Sequence, residues 1–202
     1  MNFLAHAHLS GKNNDVLLGN FVADAIKGKK LLEYRKEIQY GILLHRQIDS
    51  FTDKHELFMQ STGRVRKDFG RYSGIVIDIF YDHFLALNWR EYDERELHVF
   101  AAHIYGILTR NVFILPNRTK KLLPFMISQN WLTSYASLDG LKHVFNGMDR
   151  RTGRISGMDK AVAVLKQNYD ELFADFKAYY PIIINFSKTK LEKIINDSNN
   201  TK

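Results

Sequence analysis

The sequence predicts an all-α fold, an irregular single-domain helical bundle. Three observations predict it. Apolar residues recur every three or four positions over most of the chain. No run alternates cleanly enough to read as a half-buried strand. The 202 residues include only three Pro and 12 Gly, too few for a loop-heavy architecture.

Each element follows from local signals. Asn13-Asn14-Asp15 is a cap signal for a helix through Ile26, stopped near Gly28. A second helix is expected from about Leu31 past Asp49, because Ile38, Ile42, His45 and Asp49 repeat at a helical spacing. A short one spans Glu56 to Asp68. Ser73 caps the apolar segment Ile75 to Trp89, whose β-branched start could suggest a strand but whose length argues for a buried helix. Glu94 to Val112 is amphipathic. Pro116 opens a polar loop, and Pro124 sits in or before a helix that carries Trp131 and Tyr135. Leu138 to Met148 follows. Met158 to Tyr180 is helical in spacing and should stop at Pro181, leaving a final helix from Ile183 to Ile195. Residues 1–195 thus read as one domain and 196–202 as a frayed polar tail.

Composition narrows the function classes. Hydrophobic residues make up 45% and charged residues 25%, which excludes wholesale disorder. Cys is absent, so disulfides, thiolate-held metals and Cys nucleophiles are excluded. The opening Met1 to His8 has no basic stretch and no long apolar run, so no signal peptide is expected. Nothing approaches the roughly 20 apolar residues of a membrane span, and a cytoplasmic protein is expected. The 29 Lys and Arg exceed the 22 Asp and Glu, giving a formal net charge of +7. That suits either an acidic partner or a solvated basic surface. No basic run interleaved with aromatics is present, so nucleic acid is not expected.

The chemistry sits in the Asp and His residues. Asp78 and Asp82 share a face of an almost wholly apolar helix that also carries His83. Buried carboxylates need a positive partner: a metal ion, a salt bridge or a cap network. His45, Asp49 and Asp53 form one stripe. His at i and Asp at i+4 can ligate one ion together, or the Asp can orient the imidazole. Imidazole with carboxylate suits Mn²⁺, Fe²⁺ or Zn²⁺. Arg46 beside them could hold a phosphate or make an ordinary surface pair. Asp24 reads, on spacing alone, as a carboxylate at a helix end. His6 and His8 share a face on a strand but diverge on a helix. No nucleophile elbow, P-loop or dinucleotide fingerprint is present. These residues suggest a metal-dependent hydrolase without naming a substrate.

Read together, the motifs resemble a known family. Met1-Asn2-Phe3-Leu4-Ala5-His6-Ala7-His8-Leu9-Ser10, Gly19 to Asp24, Gly41 to Asp53, Tyr81-Asp82-His83-Phe84, Gln129 to Leu132 and Asn146-Gly147-Met148 resemble, in order, the bacterial acyl carrier protein phosphodiesterases. The resemblance implies an enzyme that removes the 4′-phosphopantetheine arm from holo-acyl carrier protein. It also implies an HD-phosphohydrolase-like fold and dependence on Mn²⁺. On this reading Asp24, His45, Asp49 and Asp82 hold the ion, with His6 or Asp78 completing the set. Arg46 and the metal hold the non-bridging oxygens, and His83 or His8 protonates the leaving serine oxygen. Arg150 and Arg151 are candidates for a basic rim that meets the acidic carrier. Two rivals remain: a phosphohydrolase of a nucleotide or small phosphodiester, and a non-catalytic helical module that binds an acidic protein.

Overall fold

A computed structural model describes residues 2–200, and among these the chain is all helical, with eleven α-helices and no strand. They are α1 (Phe3–His8), α2 (Asn14–Val22), α3 (Lys36–Thr52), α4 (Glu56–Phe69), α5 (Ser73–Leu87), α6 (Leu97–Arg110), α7 (Asn117–Ser128), α8 (Trp131–Ser134), α9 (Leu138–Arg151), α10 (Ala161–Gln167) and α11 (Tyr169–Asn200). None is long and apolar enough to cross a membrane.

The apolar segment at Ser73 is α5, and its β-branched start is helical because both flanks are packed. Val76, Ile77, Phe80, Tyr81, Phe84 and Leu85 are all buried. Its ring Phe84 lies 5.7 Å from Phe176 of α11, which stacks 5.0 Å from Tyr180. This aromatic contact ties the centre of the bundle together.

Two helices touch backbone to backbone. A Cβ on Gly19 of α2 would stand 2.0 Å from the Ile38 carbonyl oxygen, and one on Gly41 of α3 would stand 2.1 Å from that of Val16. Only glycine allows the two helices to cross so closely. The crossing fixes the spacing of every polar side chain that α2 and α3 carry toward each other.

Several boundaries differ from the sequence reading. The Asn13 side chain does cap α2, accepting from the amides of Asp15 and Val16. The helix ends at Val22, however, and a 3₁₀ turn, Ala23–Ala25, carries Asp24. Another such turn occupies Gly28–Glu33, so α3 starts only at Lys36. Pro124 lies inside α7, and Trp131 and Tyr135 are not in that helix. A left-handed Asn130 (φ 45°) breaks the chain first.

Pro181 does not stop a helix. It sits exposed within the 32-residue α11, where the Lys177 carbonyl it leaves without an amide can be met by water. The break falls instead at Asn168, whose side chain donates to the Val164 carbonyl at 2.8 Å. Helical turns continue through Asn200, past the point where a frayed tail was expected. Residues 201 and 202 lie outside the described residues.

Candidate active site

The α2–α3 crossing brings Asn20 and Asp24 beside His45 and Asp49. The short helix α1 adds His6. His6 Nε2 lies 3.1 Å from Asp49 Oδ1, and His45 Nε2 lies 3.1 Å from both Asp49 Oδ2 and Asp24 Oδ1. The two imidazoles stack with centroids 3.9 Å apart. Donor atoms of His6, His45 and Asp49 lie within 4.8 Å of one another, a spacing that one metal ion can bridge.

Asn20 sets how these rings are oriented. It is wholly buried, and its Oδ1 accepts from His6 Nδ1 at 2.8 Å and from His45 Nδ1 at 3.1 Å. Its Nδ2 donates to the His6 carbonyl and to Ser10 Oγ, both at 2.9 Å. Those two contacts make the assignment of its oxygen and nitrogen unambiguous. Both Nδ1 atoms must therefore carry hydrogen, and both Nε2 atoms face the carboxylates.

The electrostatics follow from that arrangement. Burial opposes a charge on His45, but hydrogen bonds to Asp24 and Asp49 prevail and raise its pKa to about 9. Burial, and then the neighbouring His45 charge, lower His6 to about 4. Burial works to raise the Asp49 carboxyl, but its hydrogen bond from His45 prevails and holds it well below the usual carboxylate range. The His45 bond also lowers Asp24. At neutral pH His6 thus turns an Nε2 lone pair toward a carboxylate oxygen, acceptor against acceptor. A cation between them resolves that conflict. Two imidazoles anchored through Nδ1–H, with one or two carboxylates and no thiolate, fit a divalent ion such as Mn²⁺, Fe²⁺ or Zn²⁺.

Asp24, which contacts His45, also lines a cavity of about 1130 Å³. Phe3, Phe21, Leu122, Met126 and Tyr135 give that cavity apolar wall. Arg118, Arg150 and Arg151 line it as well.

The remaining residues singled out from the sequence lie elsewhere. Asp82, expected as a ligand, is not among the clustered donors: it is fully buried, and its two oxygens accept from the amides of Leu4 (2.8 Å) and Ala5 (3.0 Å) at the start of α1. Burial pushes its pKa up to about 7 against those bonds. Asp78 lines the cavity but is not among the three clustered donors, and burial raises its pKa.

His8 points away from the cluster, because α1 is a helix. Its Nε2 donates to the Tyr92 carbonyl at 3.1 Å, and its Nδ1 accepts from the Tyr180 hydroxyl at 2.9 Å. His83 is buried with Nδ1 on the Tyr135 carbonyl at 2.6 Å. Neither ring is among the three clustered donors. Arg46 turns its guanidinium to the carbonyls of Ile26 (3.2 Å) and Gly28 (3.3 Å), bracing the turn beyond Asp24. Asn20 is the residue the sequence reading passed over. The available signal was an amide side chain set in the apolar run Val16 to Val22, where only internal hydrogen bonds can satisfy it.

An all-helical chain with an imidazole–carboxylate cluster linked through Asp24 to a large cavity has the makings of a hydrolase centre. Comparison with known proteins narrows this. The family model described as acyl carrier protein phosphodiesterase matches residues 1–183. A protein of that name from Photorhabdus laumondii is 34% identical over 191 residues, covering 94% of this chain and 96% of its own length. Proteins of the same name from Yersinia enterocolitica (32%) and Pectobacterium atrosepticum (31%) match 94% of this chain and 99% of theirs. No solved structure matches. The chain belongs to the acyl carrier protein phosphodiesterase family.

Proposed function

We propose that this protein hydrolyses the phosphodiester joining 4′-phosphopantetheine to the serine of holo-acyl carrier protein, giving apo-carrier and 4′-phosphopantetheine. Family membership supports the substrate. The observation that carries the chemistry is the His6–His45–Asp49 cluster, with Asp24 joining it to the cavity.

His6, His45 and Asp49, with Asp24, would hold a divalent cation, Mn²⁺ on this reading. When bound, such an ion polarises a phosphoryl group and acidifies water. The protein supplies the rest. Asn20 holds both imidazoles with Nε2 facing the carboxylates. The cavity walls shield the reacting diester from bulk water and orient the arm. Arg150 and Arg151 contact the substrate at the mouth, while Arg46 keeps the loop after Asp24 in place. Water oxygen bonds to phosphorus, the bond from phosphorus to the serine oxygen breaks, and that oxygen leaves with a proton. The same reading sets the bundle beside the HD-type phosphohydrolases, as one domain working in the cytoplasm on the carrier of fatty acid synthesis.

Intact-mass spectrometry tests the reaction. Holo-carrier incubated with the protein and Mn²⁺ should lose the mass of the arm, and EDTA should prevent the loss. An unchanged mass with a folded, metal-loaded protein would overturn the reading in favour of a small-molecule hydrolase or a binding module.

A further inference from the structure

The chain's positive charge is unevenly placed. Residues 117–154, from α7 through the turn after α9, hold seven Lys or Arg against two Asp. One of those, Asp149, is buried and accepts from Ser156 Oγ at 2.7 Å, which leaves Asp139 as the segment's exposed carboxylate. Most of the chain's net charge of +7 therefore falls in this segment.

Three of these cations line one cavity. Arg118 of α7 and Arg150 and Arg151 of α9 are exposed, and all three border the cavity that Asp24 also lines. None makes an ion pair among the described residues, whereas Arg35, Arg64, Arg90 and Arg95 elsewhere are each paired with a carboxylate. Phe125, which lines the same cavity, is 57% exposed. Unpaired arginines with an exposed aromatic ring match the composition of interface patches. The charge selects an acidic occupant, and Phe125 selects one that also brings apolar surface.

We propose that this lip of α7 and α9 is the docking surface for the acidic carrier. Carboxylates of the carrier pair with Arg118, Arg150 and Arg151. Apolar surface of the carrier covers Phe125. The phosphodiester enters the cavity that these residues and Asp24 line. This inference rests on the proposed reaction for the partner's identity, and it adds Arg118 and Phe125 as determinants of recognition.

Fluorescence anisotropy with labelled apo-carrier tests the surface without turnover. The full chain should bind it saturably, and binding should weaken as salt rises from about 50 to about 500 mM. The combined variant Arg118→Glu, Arg150→Glu, Arg151→Glu should weaken binding about 100-fold or more. Phe125→Ser should weaken it about tenfold. All four changes lie at exposed positions, and an unchanged circular dichroism melt confirms folding. Absent binding by the wild type, or equal binding by the triple variant, overturns the surface. Cleavage of holo-carrier with an unchanged KM in the triple variant overturns the surface and leaves the reaction standing. Arginine-dependent binding without cleavage does the reverse. Equal affinity for a mixed-sequence oligonucleotide also overturns it.

Discussion

Asn20 spends its entire hydrogen-bonding capacity inside the protein, with two bonds accepted and two donated. That makes it costly to replace and specific in what it does. Asn20→Ala should lower Mn²⁺ affinity by about 10–100-fold, since partners that orient ligating imidazoles typically carry that much. Isothermal titration with Mn²⁺ measures it, and an unchanged affinity would show that the rings hold their orientation without the amide. At this scale the sequence was partly legible. The spacing of His45 and Asp49 placed both on one stripe, because i and i+4 share a helix face whatever surrounds them. His6 and His8 could be told apart only once α1 was known to be a helix. Asp82 was read toward metal because a buried carboxylate needs a positive partner. The backbone amides at the start of α1 meet that need from 78 residues away in sequence, and the chain gives no local sign of it.

The crossing of α2 and α3 is the element on which the candidate site depends. Gly19 and Gly41 allow it, and a methyl group on either would collide with backbone rather than with a movable side chain. Gly41→Ala should destabilise the fold by about 3 kcal/mol, toward the upper end for overpacking. For a chain of this size that lowers Tm by roughly 6–12 °C. A thermal melt checks the first effect, and a weaker Mn²⁺ titration at a temperature where the variant is folded checks the second. A melt matching that of wild type would mean the helices can separate at no cost. Helices such as α4 and α5 were legible from their apolar spacing and length, although Ser73 is the first residue of α5 and not its cap: its hydroxyl donates to the Gly70 carbonyl. The α10–α11 boundary was not, since proline is judged a helix breaker without knowing whether its face is exposed. At Pro181 it is, and Asn168 makes the break instead.

Across the whole molecule one cavity links the features. Asp24, beside a cluster of two buried imidazoles and a half-buried carboxylate, lines it, and so do three arginines without an ion pair among the described residues. Net charge was readable from composition, but its concentration on one lip required the fold. On the proposed reading the exposed arginines meet the acidic carrier, while Asp24 and Asp49 face His45. Diffraction from crystals soaked in Mn²⁺, recorded for its anomalous signal, examines the central claim most directly. The account predicts a single strong peak bonded to the Nε2 atoms of His6 and His45 and to the Asp49 carboxylate. A peak elsewhere, or none at that cluster in crystals shown to contain manganese, would contradict it.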